Sequence, residues 1–214
     1  MKRIPTTVFS EWAATGRDER MAKGHEVAVN NMLEYALKNK KNFTFIDAGC
    51  GNGWVVRLVK AHKYCVAAAG VDGAHMMIEK AKSIDPAGVY SHADLSSWIP
   101  NEKVDIVHSM EVVYYLSDPK GFIANVYKYW LKKDGRLIVG LDFYKENAVS
   151  HSWPEDCGVS IMQLLPAAAW IDFFNKVGFN NIQSWRVDEK ENWAGSANYL
   201  FLAIFRSGLL KWQF

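Results

Sequence analysis

The chain has 214 residues, half of them apolar and 22% charged, with a net charge of +2. That length suits one sizeable core and is short for two ordinary domains, and the near-balanced charge lacks the basic stripe of a duplex-binding protein, so no nucleic-acid partner is expected. Three scattered cysteines (Cys50, Cys65, Cys157) argue against a disulfide framework and a metal centre, and no apolar run reaches the ~18 residues of a membrane span, so a soluble, cytoplasmic single domain without a membrane partner is expected.

The first twenty residues, MKRIPTTVFSEWAATGRDER, lack the apolar core of a signal peptide. Residues 18–40 then read as an amphipathic helix with Val27, Leu33, Ala36 and Leu37 on its apolar face. From residue 43 strand and helix signals alternate. FTFIDAG (43–49) is a strand, WVVRLVKAHK (54–63) a helix, CVAAAGVD (65–72) a buried strand and AHMMIEKAKS (74–83) a helix. GVYSHAD (88–94) and VDIVHSM (104–110) are further strands. A helix is predicted over 118–133, with Asp118 as N-cap, Pro119 at its first position and Lys132 and Lys133 in its last turn. GRLIVGLD (135–142) is a fifth strand. The rhythm then changes: a helix is expected over 163–178, followed by strands at 181–187 and 197–206 with no helix between them, which predicts an antiparallel hairpin. The fold class is therefore α/β: a doubly wound, mostly parallel seven-stranded sheet with helices on both faces and a C-terminal antiparallel hairpin. Within one domain of residues 1–214, residues 1–42 are read as a helical lid, 43–206 as a Rossmann-like core and 207–214 as a tail without an assigned role. Oligomeric state is not legible.

Aromatic residues make up 14% of the chain. Trp12, Trp98, Tyr114, Tyr115, Trp153, Trp170 and Trp193 fall outside the predicted sheet core, where large rings either cover edges or line a small-molecule pocket.

The stretch FIDAGCGNGWVV (45–56) leaves a strand, turns on three glycines and enters a helix. Such a turn lets backbone approach a ligand closely. A dinucleotide site uses GxGxxG, but here Gly49, Gly51 and Gly53 make GxGxG and Trp54 stands where the third glycine belongs. A nucleoside-type ligand without a pyrophosphate fits better. The second strand ends in Asp72, about 20 residues further on, where an acid accepts from ribose hydroxyls; the competing reading is a cap for the following helix. The third strand ends in Asp94-Leu95, placed to meet the base.

Together these residues resemble the [DE]xGxGxG signature of class I S-adenosylmethionine-dependent methyltransferases. GVDGAHMMIEKAK (70–82), HADLSSWIP (92–100), VDIVHSMEVVYYL (104–116) and LKKDGRLIVG (131–140) resemble that family's later motifs, in order. The resemblance implies S-adenosyl-L-methionine as cofactor. Asp47, Gly49, Gly51 and Gly53 would hold its methionine part, Asp72 with Gly73 the ribose, Asp94 and Leu95 the adenine, and Ser109 would lie near the sulfonium. Gly73-Ala74 departs from the family, many members of which carry a helix-capping hydroxyl there.

Methyl transfer from a sulfonium needs alignment, and a base only where the nucleophile must lose a proton. Glu111 and Tyr115 are the candidate catalytic residues, and His108 is read as structural. Trp12, Arg17, Tyr114, His151 and Trp153 are candidates for the acceptor pocket, with Arg17, Arg20 and His25 available for the cofactor's carboxylate or an acidic substrate. Ser109-Met110-Glu111-Val112 is unlike the [DNS]PP[YFW] of enzymes that methylate base amino groups. The expected activity is methylation of a small molecule at N, O or a carboxylate. The alternatives are an RNA or protein acceptor, or a cofactor-binding protein without catalysis.

Overall fold

The structure is a computed structural model, and it describes residues 2–187 and 198–205. Residues 188–197, Trp193 among them, and residues 206–214, which include the tail, lie outside the described residues.

In chain order the elements are helices α1 (Pro5–Thr15) and α2 (Arg17–Leu37), strand β1 (Phe43–Ala48), helix α3 (Trp54–Lys60), strand β2 (Cys65–Asp72), helix α4 (His75–Ile84), and strands β3 (Val89–His92) and β4 (Val104–Met110). Helix α5 (Pro119–Asn125), strand β5 (Leu131–Leu141), short helix α6 (Trp153–Asp156), helix α7 (Ala167–Val177), and strands β6 (Asn180–Val187) and β7 (Asn198–Ile204) follow. The seven strands form one sheet in the order β3-β2-β1-β4-β5-β7-β6. The first five pair in parallel, and β7 runs antiparallel to both β5 and β6, as the hairpin signal predicted.

Strand alternation sorts the core into two layers. Phe43, Phe45, Ile106, Ile138, Leu200 and Leu202 face α2, α3 and α4, while Ile46, Val107, Leu137, Val139, Phe201 and Ala203 face α5 and α7. Right-handed crossovers then bring the C-terminal ends of β1, β2, β3 and β4 to one edge. Asp47 and His108 are register partners at that edge.

Several expectations need correction. The helix predicted over 118–133 is α-helical only to Asn125. One π turn (Val126–Trp130) follows, and β5 starts at Leu131. Asp118 does cap it, accepting from Gly121 N at 2.8 Å. Strand pairing wins beyond that: Leu131 pairs with Val104, and Lys132 donates to Asp105 Oδ2 at 3.0 Å. The last helix begins at Ala167, not 163, because Pro166 takes an extended conformation as its N-cap and disfavours helix before it. On α2 the buried stripe is Ala28, Val29, Met32, Leu33 and Ala36, whereas Val27 is 58% exposed. A second helix, α1, precedes it and packs against α4. Among the described residues no helix is long and apolar enough to cross a membrane, and no cluster of His, Cys, Asp and Glu is arranged to hold a metal.

Candidate functional site

The glycine turn sits directly after β1. Gly49 N and Cys50 N donate to Val71 O at 2.8 and 3.1 Å, which ties the loop to β2. Gly49 (φ 81°) and Gly53 (φ 77°) are left-handed. A Cβ on Gly49 would stand 2.2 Å from Val112 Cγ2, and one on Gly53 would stand 2.5 Å from the Tyr90 ring, so both positions need glycine for space as well as conformation. Gly51 differs: a Cβ there meets only Met77 Sδ at 3.9 Å, so this part of the loop presents bare backbone to an open space.

That space is a cavity of about 980 Å³ at the strand edge, at the upper end of the ~300–1,000 Å³ typical of small-molecule sites. Its floor contains Asp47, Gly49, Gly51, Asp72, Gly73, Asp94 and Leu95, seven of the nine residues assigned to cofactor binding. Asp72 makes two bonds: Oδ2 accepts from Gly51 N at 2.8 Å, and Oδ1 accepts from Ala74 N at 2.7 Å. Asp72 thus holds the residue that leads into α4, although α4 itself has no side-chain cap, and its carboxylate also borders the cavity. Burial pushes the Asp72 carboxyl up, against the two backbone N–H groups that hold it down. Asp94 accepts from Ser96 N at 2.9 Å and Leu95 is buried.

Two floor assignments do not reach the cavity wall. Ser109 is fully buried and donates from Oγ to Ala48 O at 2.8 Å, locking β4 to β1, and Gly53 faces Tyr90. His108, read as structural, is buried and holds Asp47 Oδ1 from Nδ1 at 2.7 Å, yet both side chains border the cavity.

The far wall comes from three distant segments. Phe9 and Trp12 of α1 meet at 5.0 Å between ring centroids, and Phe9 meets Tyr115 at 4.8 Å. Tyr114, Tyr115 and Glu111 follow β4, and Trp153, Asp156 and Cys157 come from the insertion after β5. Backbone bonds knit the chain start to that insertion: Arg3 N donates to Gly158 O and Ser160 N to Arg3 O, at 2.9 and 2.8 Å. His151 stands apart, exposed, with Nε2 3.1 Å from Lys145 O. Arg20 is exposed outside the cavity, while Arg17 and His25 border it.

Glu111 has a left-handed backbone (φ 58°), uncommon outside glycine. Its Oε2 accepts from Tyr114 Oη at 2.6 Å and its Oε1 from Asp142 N. Burial, and then the neighbouring Asp142 charge, push the Glu111 carboxyl well above the ordinary carboxylate range. Burial likewise raises the Tyr114 and Tyr115 hydroxyls. Both Glu111 oxygens are engaged as acceptors within this cluster.

Sequence reasoning missed a buried latch. Asp18 on α2 accepts from Asn52 Nδ2 in the glycine turn at 2.7 Å and from Lys80 Nζ on α4 at 2.9 Å. Asn52 Oδ1 in turn accepts from Trp54 N at 3.2 Å. The latch joins α2, the loop and α4. Asn52 could have been singled out from its place in GCGNG, but its partner lies 34 residues away in the chain, with no local signal.

A family model described as a methyltransferase domain matches residues 17–184, well over half of the chain. Trans-aconitate 2-methyltransferase of Klebsiella pneumoniae (strain 342) is 26% identical over 147 residues, covering 66% of this chain and 57% of that enzyme. This chain thus spans less than two thirds of that relative's length. Among solved structures, a chain of the complex between the Haloferax volcanii Trm112 methyltransferase activator and a methyltransferase superposes with TM-score 0.77 at 22% identity, covering 96% of this chain and all of that one. The N-methyltransferase NodS of Bradyrhizobium japonicum WM9, solved with S-adenosyl-L-homocysteine, gives TM-score 0.62 at 16% identity, with 83% and 85% covered. At these identities the structural likenesses speak for the fold. The sequence match, the fold and the open glycine cradle agree, and the chain belongs to the methyltransferase-domain family.

Proposed function

We propose that this chain transfers a methyl group to a small molecule held in the aromatic chamber beside the glycine turn. The observation that carries this reading is the cavity itself: one space runs from Gly51, Asp72 and Leu95 to Trp12, Tyr115 and Trp153. A nucleoside and a small acceptor fit side by side there.

Bound on the floor, the cofactor supplies an already activated methyl group. Gly49 to Asn52 admit its methionine part, Asp72 keeps acceptor capacity for ribose hydroxyls, and Leu95 packs against the base. Val112, seated against Gly49, and Tyr115 set the approach from the acceptor side. Helices α1 and α2 act as the lid, and the Asp18–Asn52–Lys80 latch holds it down, excluding water. Glu111 accepts from Tyr114 and from the Asp142 backbone, so its role is to fix the Tyr114–Tyr115 wall.

The aromatic lining suits a small acceptor, in keeping with the small acid named for the trans-aconitate enzymes. Calorimetry with S-adenosyl-L-homocysteine tests the floor, and a screen for methyl incorporation into metabolite, RNA and protein fractions tests the chamber. No binding of the product would defeat the whole reading. Incorporation into RNA or protein alone, or only with an activator protein of the kind seen in the Haloferax complex, would defeat the small-molecule part.

A further inference from the structure

Arg17, the first residue of α2, is the unusual charge in the chamber. Its guanidinium lies 3.9 Å over the Trp12 ring, and Nη2 reaches Cys157 Sγ at 4.0 Å. Burial raises the Cys157 thiol, so that neighbour offers a weak neutral acceptor and no counter-charge. Among the described residues no carboxylate oxygen lies within the 4.0 Å of an ion pair from Arg17.

The acids around it are engaged elsewhere. Asp18 is taken by Lys80 and Asn52, Asp47 by His108, Asp72 by two backbone N–H groups, and Asp156 by Ser152 Oγ at 2.7 Å. Glu111, bonded to Tyr114, is held toward its neutral form. Arg17 is part-buried and has only the Trp12 ring and the Cys157 sulfur as partners, so it can accept an anion without first breaking an ion pair. Stacking on Trp12 fixes the plane of the guanidinium and leaves its edge N–H fork for a planar, two-oxygen partner.

We propose that Arg17 anchors the methyl acceptor, and that the acceptor is a small molecule bearing a carboxylate. This rests on the small-molecule reading above. It also makes α1 and α2 more than a cover. Trp12 and Arg17 flank the α1–α2 junction, so the group that recognises the acceptor is carried by the lid that closes over it.

The test is titration of trans-aconitate into the full chain saturated with S-adenosyl-L-homocysteine, repeated for Arg17→Gln and Arg17→Lys. Arg17→Gln is expected to weaken the acid ~10–100-fold, the loss of a charge-assisted hydrogen bond. Arg17→Lys keeps the charge without the fork and falls between. Affinity for S-adenosyl-L-homocysteine stays within about twofold in both, which also shows that the variants are folded. An acid that binds Arg17→Gln as tightly as the parent overturns the anchor. So does a loss confined to S-adenosyl-L-homocysteine, which would move Arg17 to the cofactor's own carboxylate. A parent protein that binds S-adenosyl-L-homocysteine but none of trans-aconitate, citrate and succinate also overturns it, as does one preferring a phosphate monoester. A parent that fails to bind S-adenosyl-L-homocysteine defeats the underlying methyltransferase reading instead.

Discussion

The two ends of the cavity are built in different ways. The floor is one turn of chain and two strand ends, held through backbone N–H groups: Gly49 and Cys50 donate to Val71 O, and Gly51 and Ala74 donate to the Asp72 carboxylate. The chamber is side chains from α1, the segment after β4 and the insertion after β5, held by ring contacts and by the Arg3 bonds to Gly158 and Ser160. Backbone geometry tolerates little substitution, whereas side-chain walls can be retooled. On the proposed reading, the fold separates a fixed cofactor seat from an adjustable acceptor pocket.

The largest test of that contrast is Gly49→Val. The new side chain needs the space of Val112 Cγ2 and a left-handed backbone, so S-adenosyl-L-homocysteine binding should fall beyond detection and stability by about 2–4 kcal/mol. Denaturant melts and calorimetry read both. Parent-like affinity would show that the floor is as forgiving as the chamber.

Asp72→Ala comes next. Losing an acceptor from ribose should weaken S-adenosyl-L-homocysteine by about 1–3 kcal/mol, while a stability loss accompanies the freed Gly51 and Ala74 N–H groups. Unchanged affinity would remove Asp72 from the ribose site and leave it only the structural role of holding those two groups.

Asp18→Ala probes the join between the two ends. Lys80 and Asn52 lose their shared partner, and Lys80 keeps Glu19 at 2.8 Å, so the expected cost is about 1–3 kcal/mol. Amide exchange should quicken in α1 and α2 and stay slow in β1 and β4. Uniform quickening would mean that α1 and α2 unfold only with the sheet and do not act as a separate lid.

The smallest expected effect is a pH slope. Glu111 has a folded-state pKa raised above its ordinary value of 4.5, so between the unfolded and folded pKa values the folded chain binds more protons. Its stability therefore falls as pH rises from about 4.5. Glu111→Gln removes that slope, and the Tm difference, variant minus parent, should climb as pH increases. A flat difference would place the Glu111 carboxylate in the charged form, and return it to consideration as a base.

The fold was legible because its signals are local. Alternating strand and helix patterns placed β1 to β4 and the β6–β7 hairpin to within a few residues. They failed at 126–134, where the pairing of Leu131 with Val104 and the Lys132–Asp105 contact outweigh helix propensity. The floor was legible for the same reason: GxGxG, Asp72 and Asp94-Leu95 each declare themselves within a few residues, and parallel strands must deliver them to one edge. Ser109 turns its side chain inward to Ala48 O, a partner 61 residues away that no local pattern announces. His151 shared the insertion with Trp153 but not its direction.

By itself the sequence determined the class of sheet, the strand edge at which the cavity opens and the glycine turn on its floor. These depend on periodicity and on backbone conformations that few residues can adopt. Only the tertiary structure decided which groups meet in the chamber. It stacked Arg17 on Trp12, engaged Asp18 with Lys80 and Asn52 and Asp47 with His108, and pressed Glu111 toward neutrality beside Asp142. Charge compensation and desolvation depend on which groups meet across long stretches of chain, and no spacing along the sequence encodes that.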